Sequence, residues 1–311
     1  MDFIRQSIRI SRPNIKDQTI NNYIRFLNRI AKEVTGETLK SLNFLKDIQK
    51  TQLFLDAMSF NSRRTTLIAI VVGLKSINDP HGVKAIYDAL LMKAKGDYFK
   101  RLNTQQKSAK TMENWTTMKK LIKIRKLWKK KVDDFNIVEK TELTKKQNDL
   151  LQTYLIASLY TMIPPRRCIY GIVKLISTAN FKKLTDEQRR DNFFVFSDSF
   201  RIMYFYFGNQ KSATESKKHA KQKVPKKLRN VLELFLRFNS DREYLLVNNR
   251  GGMLGLDGCG RHLKDIFGVG PTMIRKIYIS ENTKVAHDLI ENIASKMGHS
   301  VGMARASYVK K

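Results

Sequence analysis

Apolar residues recur at helical spacing through the first half of this chain, and no alternating strand pattern stands out before residue 185. That restricts the fold to a mainly helical one. Ile20, Tyr23, Ile24, Leu27, Ile30, Ala31 and Val34 share one helical face, and Gly36 stops the run. Asn61 or Ser62 can cap a second run through Leu67, Ile70, Val71 and Leu74, broken at Asp79-Pro80. A third pattern covers Val83 to about Leu102. A compact domain of four or five helices is therefore expected over residues 1–115.

From residue 140 the texture changes. Thr144 can cap a helix through Leu150, Leu151, Leu155 and Leu159, ending before Pro164-Pro165. Phe193–Ser197 and Ile202–Phe207 read as strands joined by a tight turn at Asp198-Ser199, and a third strand can end at Val224-Pro225. Helical patterns resume at Lys226–Phe238, His262–Phe267, Thr272–Ser280, Lys284–Lys296 and Ala304–Lys311. Residues 140–311 are expected to form a second, mainly helical domain with a small antiparallel sheet, an α+β arrangement. Gly251-Gly252 and the Gly255–Gly260 region read as turn chemistry, not a phosphate-cradling loop.

Charge narrows the partner. The chain has 59 Lys plus Arg against 28 Asp plus Glu, a formal net charge of +31 over 311 residues. Self-repulsion of that size points to a polyanion, and double-stranded DNA is the expected partner. No apolar run reaches the ~20 residues of a spanning helix, and nothing at Met1 resembles a signal peptide, so no membrane is expected and an intracellular location is. Cys168 and Cys259 form neither a disulfide framework nor a metal spacing; no metal and no cofactor are expected. Residues 116–139 look like a basic interdomain linker. Within them lie Lys119, Lys120, Lys123, Arg125, Lys126, Lys129, Lys130 and Lys131, with Leu121, Ile124 and Trp128 on one helical face. The stretch fits either a solvated amphipathic helix packed on a neighbour or a segment along a DNA backbone, and backbone contact is the expectation.

Four short motifs carry chemistry. Met297-Gly298-His299-Ser300 is followed by Tyr308. Pro164-Pro165-Arg166-Arg167 follows a helix, Lys211-Ser212 follows the second strand, and Thr272-Met273-Ile274-Arg275-Lys276 lies further on. In the chain order Arg166, Lys211, Arg275, His299, Tyr308 the set resembles the tyrosine recombinase (phage integrase) family, in the form of its Crypton-like and large-DNA-virus members. The resemblance is strong over the C-terminal half. It reaches the first half only as a basic helical domain of suitable size, like the family's core-binding domain.

The resemblance implies a site in which the Tyr308 hydroxyl attacks a DNA phosphate to leave a 3′-phosphotyrosyl ester. Arg166, Arg275 and His299 would face the nonbridging oxygens, where a planar, permanently charged guanidinium suits the growing charge. Lys211 would protonate the leaving 5′-oxygen, although Lys217, Lys218, Lys221 and Lys223 crowd the same loop. Arg167 is the alternative to Arg166. The family often has an acid three positions after this arginine, where this chain has Ile169; Val173 and Leu175 fall where the family's helix turns inward. Thr272 stands where the family has His or Lys, so Lys276 is a candidate to assist. The family also implies a homo-oligomer, a tetramer, on DNA during synapsis, and a nuclear or viral replication compartment for a eukaryotic or viral member. Rival readings are a type IB topoisomerase, expected to begin with strands rather than helices, and a non-catalytic DNA-binding protein on the same scaffold.

Overall fold

The computed structural model describes residues 2–79, 82–103, 107–208 and 220–296. The chain divides into two compact units, Met1–Ser108 and Ala109–Lys311. It is mainly helical, with one four-stranded sheet in the second unit.

In the first unit, α1 (Asp2–Ser11), α2 (Asp17–Thr35), α3 (Ile48–Asp56), α4 (Phe60–Ser76) and α5 (Lys84–Asn103) share one core. The other four helices all pack on α4. That central position accounts for an apolar surface wider than one stripe, with Leu67, Ala69, Ile70, Val72 and Leu74 all buried. α2 ends where Gly36 adopts a left-handed φ of 77° and returns its N–H to the Lys32 carbonyl. The Tyr87 hydroxyl on α5 donates to the Leu45 carbonyl at 2.8 Å and ties down the segment between α2 and α3.

The second unit opens with α6 (Ala109–Glu113), α7 (Met118–Asp134) and α8 (Lys145–Leu159). Residues 116–139, expected as a linker, are part of this unit's body. Met118, Leu121 and Val132 of α7 are buried in its core, and α7 lies along α8. α8 starts at a reciprocal capping box of Thr144 and Gln147.

The sheet follows: β1 (Lys174–Ser177), β2 (Asn192–Phe196), β3 (Met203–Phe207) and β4 (Ala220–Lys223), in that spatial order. It is mixed, not antiparallel as expected, because β1 pairs with β2 in parallel while the other pairings are antiparallel. β1 was not expected at all; Val173 and Leu175 lie in extended chain, not in a helix. β1's other side is closed by Leu175 N–H to the Glu243 carbonyl at 2.8 Å and Leu245 N–H to the Val173 carbonyl at 2.9 Å. One face of the sheet presents Phe194, Phe205 and Phe207 to the main core. On the other, Phe193 and Val195 pack with Phe181 of α9 (Thr178–Lys183). Burial on both faces explains why β2 is a continuous apolar run, whereas β3 alternates.

α10 (Lys226–Arg237), α11 (Gly255–Phe267) and α12 (Pro271–Lys296) follow among the described residues. The Gly255–Gly260 region is the first half of α11, not a turn. Gly171 permits a close crossing against its start: a Cβ on Gly171 would lie 2.2 Å from the Gly255 carbonyl oxygen. α12 is one helix of 26 residues where a break was expected between residues 280 and 284. The polar side chains there bond back along it, Asn282 Nδ2 to the Tyr278 carbonyl and Thr283 Oγ1 to the Ile279 carbonyl, each at 2.8 Å. Ala304–Lys311, expected as a final helix, lies outside the described residues.

Candidate functional site

The diproline rigidly sets the chain before Arg166: Pro165 is buried, Arg166 half-buried and Arg167 exposed. The next residues, Cys168–Ile172, make a short 3-10 turn against α11. The Tyr160 hydroxyl donates to the Arg167 carbonyl at 3.0 Å and lies 3.5 Å from Cys259 Sγ. The turn carrying the two arginines is thus fixed from below by buried groups.

Arg166 projects across the sheet's end. Its guanidinium lies over the Phe207 ring, 3.8 Å from the centroid, and its Nε donates to Gln222 Oε1 on β4 at 3.0 Å. No carboxylate among the described residues pairs with it. Burial pushes its pKa down, opposed by nearby Tyr170. The Tyr170 hydroxyl is itself buried, its pKa pushed up by desolvation. Gln222 therefore orients the guanidinium without contributing negative charge. A half-buried guanidinium with a neutral partner keeps its whole field for an anion. Neither Phe207 nor Gln222 was singled out in the sequence; only the position of Phe207 at the end of a strand pattern points toward it.

Arg275 stands one turn into α12, half-buried, between the buried Ile274 and Ile277. Thr272 near it and Lys276 beside it are both exposed. No hydrogen bond or ion pair among the described residues joins Arg275 to Arg166. α12 is held near its middle, where Glu281 Oε1 accepts the Met118 N–H at 3.0 Å, an acid at the N-terminus of α7. Lys211, His299 and Tyr308 lie outside the described residues.

The basic residues of α7 sort by face. Leu121 and Val132 define the buried side, and opposite them Lys119, Lys123, Lys126 and Lys130 form one outward stripe at spacings of four, three and four residues. Arg125 is turned inward, half-buried, with Nη1 3.3 Å from Thr161 Oγ1. Lys129 is held by Asp133 at 2.6 Å. Lys120 lies on the flank, as does Lys131, whose Nζ sits 4.1 Å from the centroid of the Trp128 ring. Both descriptions of this segment meet here: it is a packed helix, and its outward face is a row of cations suited to a phosphate backbone. No helix among the described residues is long and apolar enough to cross a membrane.

No protein-family model, curated protein or solved structure matches the chain.

Proposed function

We propose that the protein is a site-specific DNA strand transferase of the tyrosine-recombinase kind, cutting and rejoining duplex DNA through a 3′-phosphotyrosyl intermediate on Tyr308. The observation that carries this reading is the state of Arg166. Half-buried, stacked on Phe207, held by neutral Gln222 and unpaired with any described acid, it suits the binding of one anionic group in a fixed orientation. The lysine stripe of α7 gives a second, sequence-independent hold on the duplex. In this reading Arg166 and Arg275 stabilise charge on the phosphate, His299 donates to a nonbridging oxygen, and Lys211 protonates the departing 5′-oxygen. The reaction needs no cofactor, because the phosphotyrosine conserves the ester bond. Synapsis of two duplexes would use a homo-oligomer, a tetramer in the family's pattern.

Incubation with a pool of nicked duplexes of randomised sequence tests it. A covalent adduct stable to denaturant should form, map to Tyr308 through the 3′-phosphate, and disappear in Tyr308→Phe while noncovalent binding persists. An adduct that survives in Tyr308→Phe, or one joined through a 5′-phosphate, overturns the assignment. Plasmid relaxation without strand exchange would instead identify a type IB topoisomerase.

A further inference from the structure

α7 and α10 both pack against α8, and between them runs an open trough of about 740 Å³. Its lining spans Arg125 to Asp133 on α7 and Lys227 to Arg237 on α10. At ~1.5 Å per residue these are walls about 12 and 15 Å long. Such a shape matches two to three turns of helix laid lengthwise, with one face buried. The floor is apolar: Val132, Val138, Tyr154, Phe200 and Leu234. Val138 is 51% exposed, and Phe200 is held at a positive φ of 54°, which bulky residues rarely adopt.

The rim is positive. Lys129 is neutralised by Asp133, and Arg237 is committed to the carbonyls of Ile137 and Val138 at 3.0 and 2.6 Å. That leaves Lys126 and Lys227 without an acid partner among the described residues, with Arg125 and Arg237 keeping their charge beside neutral oxygens, against Glu233 alone. A phosphate backbone has no apolar face to cover this floor. A second copy of a chain carrying +31 would be repelled from a positive rim.

We propose that this trough docks an amphipathic helix of a partner protein, apolar on one face and acidic along its flanks. The inference does not rest on the DNA-cleavage reading, and its test contains no DNA chemistry. Two synthetic helical peptides serve as probes, each with Leu at i, i+3 and i+7, one flanked by Glu and the other by Lys. Fluorescence anisotropy with the full chain should show the acidic peptide binding at least about tenfold more tightly than the basic one. Val138→Asp and Lys227→Glu should each weaken it by about tenfold, a typical effect at an interface anchor, with melting temperature unchanged. Val138 is exposed enough that its replacement does not disturb the core. Equal binding of both peptides, binding of neither, or indifference to both substitutions overturns the proposal. Displacement of the bound peptide by plain duplex DNA would reassign the trough to nucleic acid.

Discussion

Gly171→Ala isolates the close crossing that sets the arginine turn against α11. The added Cβ would sit 2.2 Å from the Gly255 oxygen, 2.9 Å from its carbonyl carbon and 3.0 Å from Cys259 Cβ. Carbon–oxygen contacts settle near ~3.3 Å even when weakly attractive, so the two backbones must part by about 1 Å. Neither backbone is the far end of a flexible side chain, and Gly255 is fixed at a φ of 76° where α11 begins. Overpacking of this kind costs ~1–3 kcal/mol, and backbone opposite backbone places this case at about 3 kcal/mol. For a unit of this size that corresponds to a fall in melting temperature of ~6–12 °C. Thermal and guanidinium unfolding followed by circular dichroism measure it, with an unchanged m-value marking a pure stability effect. Gly96→Ala on α5 is the counterpart, since nothing lies within 4 Å of its added Cβ. That change should stabilise by ~0.5–1 kcal/mol, the ordinary gain of alanine over glycine in a helix. If Gly171→Ala melts within about 1 °C of the parent, the close crossing is not what holds the turn.

Gln222→Leu removes the acceptor of Arg166 Nε, and cleavage is expected to fall by up to ~10² while noncovalent DNA affinity holds; an unchanged rate would detach Gln222 from the positioning of the arginine. Reversing Lys119, Lys123, Lys126 and Lys130 to Glu should flatten the dependence of log affinity on log salt by about 0.9 for each phosphate no longer neutralised. Reversing Lys120 and Lys131 on the flank should change it less, and equal slopes for the two variants would remove the stripe from the interface. Arg275→Ala and His299→Ala chains, each inactive alone, should recover adduct formation when mixed, because unbroken α12 separates those positions within one chain. Failure of the mixture to recover would require a bend in that helix.

Elements with local signals were legible in the sequence. Gly36 and Thr144 mark helix ends through their own backbone or side-chain bonds, and the apolar and aromatic run Ile202–Phe207 marks a strand. β1 was not, because its four residues owe their conformation to Phe193–Phe196 and to Glu243 and Leu245, far away in the chain. The continuity of α12 was hidden for the opposite reason. Glu281-Asn282-Thr283 looks like a break, yet its side chains satisfy the helix's own carbonyls and the end of α7. At the candidate site, Arg166 stands out after two prolines. Gln222 does not, since its role depends on β4 lying beside the arginine turn.

The length of α12 sets a condition on any chemistry shared between its two ends. From Arg275 to Lys296 a straight helix advances about 31 Å, and the three residues from there to His299 can recover at most about 10 Å. On the proposed reading, a single molecule with a straight α12 holds His299 out of range of the phosphate that Arg275 stabilises. Assembly on DNA then becomes the step that completes the site. A lone protomer sliding along a duplex could bind every sequence it met and cut none, so the hazard of a strand-breaking protein would be confined to the moment when copies come together.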